Sequence, residues 1–141
     1  MRPERLMNFV AETLDKAPGV QARPWQDGTN RPYGVHVRFV SGSELRLGVT
    51  AAAPPGEDHS KPEIPVTGEP PAETPVPDAV GKPVDKVAAE QYIAAILTNS
   101  GNNEIKTVYG YSSRATTTSP TAHPGVGVEF HSTGKGFLLF Q

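Results

Sequence analysis

The apolar positions of this chain follow a helical rhythm and then an alternating one, and that succession occurs twice. Leu6, Phe9, Val10, Thr13 and Leu14 keep the i, i+3, i+4, i+7, i+8 spacing of one helix face, with Pro3 suited to the first turn and Pro18-Gly19 to the end. Ala89, Tyr92, Ile93, Ile96 and Leu97 repeat the spacing, with Asp85 as N-cap and Gly101 as the stop. A short strand is predicted after each helix, over Val20 to Trp25 and over Ile105 to Tyr111.

The next segments match position by position. Gly34-Val35-His36-Val37-Arg38-Phe39-Val40-Ser41 aligns with Gly125-Val126-Gly127-Val128-Glu129-Phe130-His131-Ser132. Period-two alternation places Val35, Val37 and Phe39 on one face, and Val126, Val128 and Phe130 on the corresponding face of the other copy. Turns through Ser41-Gly42-Ser43 and Ser132-Thr133-Gly134 lead to last strands over Glu44 to Val49 and Gly136 to Phe140. The expected fold is α+β: a tandem duplication of a helix plus three-stranded antiparallel meander, in residues 1–50 and 84–141, related by a pseudo-two-fold. A module of roughly 45 residues is near the lower limit for folding alone. The copies are therefore expected to share one core, as one six-stranded sheet with both helices on one face or as two packed sheets. Phe39 and Phe130 should be equivalent and buried, each facing its own helix.

Between the modules, residues 51–83 repeat Pro, Glu, Ala and Val with almost no aromatic content, as in Pro54-Pro55-Gly56-Glu57-Asp58. Proline fixes its own φ and biases its predecessor toward extended geometry, so this Pro-rich linker is expected to be extended or disordered. Its slack allows it to lie along the surface, with Ile64, Val66, Val76 and Val80 as expected anchors.

Composition narrows the function classes. No run approaches the about 20 apolar residues of a membrane span, and Glu12 and Asp15 interrupt any signal-like apolar stretch. A cytoplasmic protein without membrane contact is expected. With no cysteine there is neither disulfide, thiolate zinc site nor cysteine nucleophile. The net charge of -2 argues against a dedicated nucleic-acid binder, but the acidity sits in the middle: residues 51–85 carry two Lys against seven acids, residues 1–50 seven Lys and Arg against five acids.

The polar parity of the strands carries His36, Arg38, Glu44, Arg46, Glu129 and His131, the raw material of acid-base or metal chemistry and equally of a solvated sheet face. Alternation alone accounts for them, so His36, His131 and Glu129 are not expected to form a catalytic or metal-binding set. His36, His59, His123 and His131 show no metal-ligand spacing, and neither Gly-x-Ser-x-Gly nor a phosphate-cradling loop occurs, so no cofactor or metal is expected. Trp25, Tyr33, Tyr109 and Tyr111 fall at comparable places in the two copies, near Arg23, Arg31 and Arg114. They suit a stacking surface, a protein hot spot, or plugs of the sheet ends. The Thr- and Ser-rich loop from Ser112 to Pro124 is the expected binding element by position. Phe137-Leu138-Leu139-Phe140, apolar at both parities, reads as a doubly buried strand, a homodimer seam or the linker's docking place.

In its Ala, Gly, Pro, Val and Thr bias, and in the stretches Arg5 to Glu12 and Pro32-Tyr33-Gly34-Val35, the chain resembles small actinobacterial proteins found with mobile elements. That resemblance implies an accessory, non-enzymatic role and brings no ligand or catalytic residue. The helix-then-three-strands order is similar to the start of a double-stranded-RNA-binding domain and to secretion-chaperone-like and YbjN-like domains, all of which have later helices with no counterpart here. The charge balance favours the polypeptide-binding analogy. The function expected from the sequence is a non-catalytic binding or adaptor protein that holds another polypeptide through its sheet face or aromatic edge. Its candidate residues are Trp25, Tyr33, Arg38, Arg46, Tyr109, Tyr111, Arg114, Glu129 and His131, with a homodimer through Phe137, Leu138, Leu139 and Phe140. The alternatives are a nucleic-acid-binding accessory protein of a mobile element and, third, a small enzyme.

Overall fold

Helix α1 (Pro3–Asp15) starts where Pro3 needs no N–H partner, and it buries Leu6, Met7, Val10, Ala11 and Leu14. The buried stripe is rotated from the expected one: Phe9 and Thr13 lie at its margin, and Met7 and Ala11 face inward. Helix α2 (Lys86–Thr98) is capped by Asp85, whose Oδ1 accepts from the backbone N–H of Val87 at 2.9 Å and of Ala88 at 3.2 Å. In the computed structural model, which describes residues 1–26, 28, 32–78, 80–113 and 123–141, six strands complete the chain. They are β1 (Val20–Pro24), β2 (Gly34–Phe39), β3 (Glu44–Ala52), β4 (Ile105–Gly110), β5 (Gly125–Phe130) and β6 (Lys135–Phe140). All pairs are antiparallel, in one curled sheet of order β1-β2-β3-β6-β5-β4.

The register has an internal symmetry. Val35↔Leu47 and Val37↔Leu45 in one half correspond to Val126↔Leu138 and Val128↔Gly136 in the other. At the seam, Leu47↔Phe140 and Val49↔Leu138 exchange with each other, and Gly48↔Leu139 maps onto itself. Charge inverts under the same mapping, from Arg38↔Glu44 to Glu129↔Lys135.

Both helices lie on one face of the sheet, and residues of both halves form one core there. Phe39 and Phe130 are both buried, but the Phe39 ring meets Tyr92 of α2 edge-on at 6.1 Å, so it contacts the helix of the other half. Leu6 of α1 likewise reaches Gly136 of β6, where a Cβ would stand 2.6 Å from its Cδ2. This cross-packing interlocks the two halves of the sheet around a common interior.

The described residues of 53–85 form no helix or strand, yet they are tied down at intervals. Arg5 Nε donates to Glu63 Oε2 at 2.8 Å, Gly68 N–H donates to the Asn103 carbonyl at 2.7 Å, and Thr74 exchanges two 2.8 Å bonds with Asn99 at the end of α2. Ser43 Oγ donates to the Gly81 carbonyl at 2.6 Å. The expected apolar anchors are corrected: Ile64, Val66 and Val76 face solvent and only Val80 is buried. Several backbone groups of this segment find partners at a helix end and at turns. Thr74 is bonded to the end of α2, and Pro75 and Pro77 share a groove with Gln91, Ala94 and Ala95 of that helix. Covered by this strap, by α1 and by the sheet, α2 can be apolar nearly all round.

Candidate functional site

The face opposite the helices carries the second parity of every strand. Neither helix covers it. From the pairing, its rows are Gln21↔Arg38↔Glu44, Arg23↔His36↔Arg46, Gly34↔Gly48↔Leu139↔Gly125, and Thr50↔Phe137↔Gly127↔Tyr109. Glycines form the floor of the middle rows, and aromatic rings lie against them. The Trp25 ring approaches the Cβ position of Gly34, Tyr111 that of Gly125, and Tyr109 that of Gly127. Trp25 and Tyr111 are therefore equivalent under the internal symmetry, each over the first residue of the neighbouring strand. Phe137 is half-buried and Leu139 is 40% exposed beside them. The Arg46 guanidinium carbon sits over the Trp25 ring, 5.3 Å from its centroid.

The expected site residues are partly regrouped. Trp25, Arg38, Arg46, Tyr109, Tyr111 and Glu129 share this face. Tyr33 does not, because it packs against the core. Leu138 and Phe140 also point to the helix side, and β6 is central with both edges paired, so the proposed seam reduces to Phe137 and Leu139. His131 lies past the end of β5 in the turn: its Nε2 is 2.7 Å from the Glu69 carbonyl oxygen, and Gly68 packs on its ring. A carbonyl only accepts, so that nitrogen carries the proton. Arg31, Arg114 and most of the Ser112 to Pro124 loop lie outside the described residues.

His36 and Glu129 stand far apart. Three strand spacings and six residues of β3 separate them, roughly 14 Å across and 20 Å along. Glu44 is the carboxylate beside His36, 3.6 Å from Nε2, and it is also 3.8 Å from Arg38 Nε. Among the described residues no three His, Asp or Glu side chains gather as a metal site.

The edge of β1 is closed to further pairing. Its outward positions are Val20, Ala22 and Pro24: the Val20 N–H donates to the Ala17 carbonyl at 3.2 Å, the Ala22 N–H to Asp15 Oδ1 at 3.0 Å, and Pro24 has no N–H. At the other edge, Pro75 and Pro77 lie alongside Val108, Tyr109 and Gly110 of β4. The β1 edge thus has no free N–H to offer, and a groove separates the strap from β4.

Two polar centres emerge that sequence reasoning passes over. Glu90 of α2 is fully buried, and its carboxylate accepts from the Gly125 N–H at 2.9 Å, the Ser112 N–H at 3.2 Å and the Ser112 hydroxyl at 3.3 Å. It holds together both ends of the β4–β5 connection beneath the Tyr111–Gly125 contact. Its signal is positional: Glu90 falls three residues before Ile93 and seven before Leu97, on the apolar stripe. Arg5 forms the other centre, donating a fork of 2.7 and 2.6 Å bonds to Glu104 besides its bond to Glu63. The Arg5 guanidinium, and after it the terminal amine, holds the Glu63 carboxyl at about 2, well below the usual carboxylate range.

No helix among the described residues is long and apolar enough to cross a membrane. Comparison of the chain with family models, with curated proteins and with solved structures finds no match.

Proposed function

We propose that this protein is a non-catalytic binding or adaptor protein that holds another polypeptide against the open face of its sheet. The observation that carries the reading is the apolar band formed by Trp25, Tyr109, Tyr111, Phe137 and Leu139, on the face that neither helix covers. Half-buried rings fixed against a glycine floor give a partner apolar area at low entropic cost, as interface anchors do. The blocked β1 edge directs the reading to the face rather than to strand addition.

Duplication of one helix-plus-meander module, with residues 51–83 as the linker that became the strap, accounts for the matched pairings and for the equivalence of Trp25 and Tyr111. The linker then serves as a clamp on the scaffold.

Selection from a random peptide display library with the purified chain tests the function, with the Leu139→Glu variant as counter-selection. Enriched peptides that fail to bind the variant support the reading. Enrichment of nothing, or of peptides that bind both equally, overturns it.

A further inference from the structure

We infer, resting on that reading, that the segment the open face takes is an acidic polypeptide, bound on the β1–β3 half with its carboxylates on Arg23 and Arg46. The pairing puts Arg23, His36 and Arg46 directly opposite one another across three strands, with Arg38 in the adjacent row. Arg23 and Arg46 stand two strand spacings apart on either side of His36, roughly 10 Å, and the two guanidinia, always charged, repel each other. Among the described residues one carboxylate, Glu44, stands in this cluster, and it is engaged with His36 and Arg38. Arg23 and Arg46 have no carboxylate partner among the described residues; Arg46 has the Trp25 ring. An anionic ligand relieves that repulsion and leaves the strand pairing intact, and a guanidinium donates two parallel bonds to a carboxylate.

The apolar band starts one row away, at Gly34, Gly48 and Leu139. A segment that carries acidic residues next to apolar ones therefore meets both features at once. A nucleic acid fits less well. The Trp25 ring that would receive a base already has the Arg46 guanidinium over it, Glu129 stands on the far half of the same face, and the chain's net charge is -2.

Trp25 is the single tryptophan, so its fluorescence reports the site directly. The full chain is titrated at low salt with four probes: a synthetic peptide alternating Glu and Val, the same peptide with Gln for Glu, the same with Lys for Glu, and a single-stranded oligonucleotide of equal charge. The expected result is a saturable change with the Glu peptide, at least about tenfold weaker with the Gln peptide and absent with the Lys peptide. The Arg23→Gln/Arg46→Gln variant should lose about tenfold for the Glu peptide and keep its affinity for the Gln peptide, with an unchanged thermal melt showing that it is folded. Equal binding of all three peptides overturns the acidic specificity and leaves polypeptide binding standing. Response to the oligonucleotide alone, or to none of the probes, overturns the inference, and the display selection then decides the underlying reading separately.

Discussion

The Trp25 ring fills the space that a Cβ on Gly34 would need, with its Cε3 2.9 Å from that position. The carbonyl oxygens of Trp25 and Leu47 crowd the same point at 2.8 and 2.9 Å, so neither the ring nor the backbone can accept a methyl without shifting. Gly34→Ala should therefore cost about 1–3 kcal/mol, the usual range for overpacking, and should displace the ring toward solvent. A urea melt reads the first effect and the wavelength of tryptophan emission the second. A variant as stable as the wild type, with unchanged emission, contradicts the packing described.

Removing the Glu90 carboxylate leaves the Ser112 and Gly125 N–H groups without their acceptor in a buried site. One unsatisfied buried group costs about 1–3 kcal/mol, so Glu90→Ala should lose at least about 2 kcal/mol and should speed amide exchange at Ser112 and Gly125 specifically. Glu90→Gln, which keeps an acceptor oxygen, should fall between. Exchange at those two amides unaltered by Glu90→Ala would rule the clamp out.

Stability should decline in acid partly through Glu63. Its carboxyl is lowered in the folded state from 4.5 to about 2. Its contribution is thus complete above the unfolded value and is lost as pH falls from about 4.5 toward about 2. Glu63→Gln should melt lower than the wild type at neutral pH and show a flatter dependence across that window. Parallel melting curves over the whole range would show that the Arg5–Glu63 bond is silent.

Two of the three devices that close β1 can be removed together. Asp15→Ala takes the acceptor from the Ala22 N–H, and Pro24→Thr restores a donor at the outermost position. The double variant should self-associate with rising concentration, measured by light scattering, while the wild type does so less. Equal scattering from the two proteins would mean that the edge is protected by something else.

What the sequence discloses here follows from the range of the signals. The helix stripes and the Val-x-Val-x-Phe strands are local periodicities, and the elements lie close to where those periodicities put them. The run Phe137 to Phe140 is apolar at both parities because Leu138 and Phe140 face the helices while Phe137 and Leu139 belong to the apolar band on the open face. Alternation misplaces His131 because it is carried past Phe130, where the strand ends and the turn begins. The strap is the least legible part. Its prolines announce extended chain, but its anchors are carbonyls, amides and one carboxylate whose partners lie 25 to 62 residues away in sequence, and no short window holds both ends of such bonds. The open face is legible as polar and aromatic residues one at a time; that they form rows over glycines depends on register across the seam.

The position of β6 also bears on how the molecule is made. It follows every other strand in chain order, yet it lies between β3 and β5. During synthesis the β3 strand, nine residues long, has emerged well before its neighbour, and its free side is bare for the time it takes to add some 80 residues. The interior cannot be completed element by element from one end. It closes when the last strand slots into a gap whose two walls come from opposite halves, a late step of high sequence separation and one exposed to wrong pairings in a crowded cell.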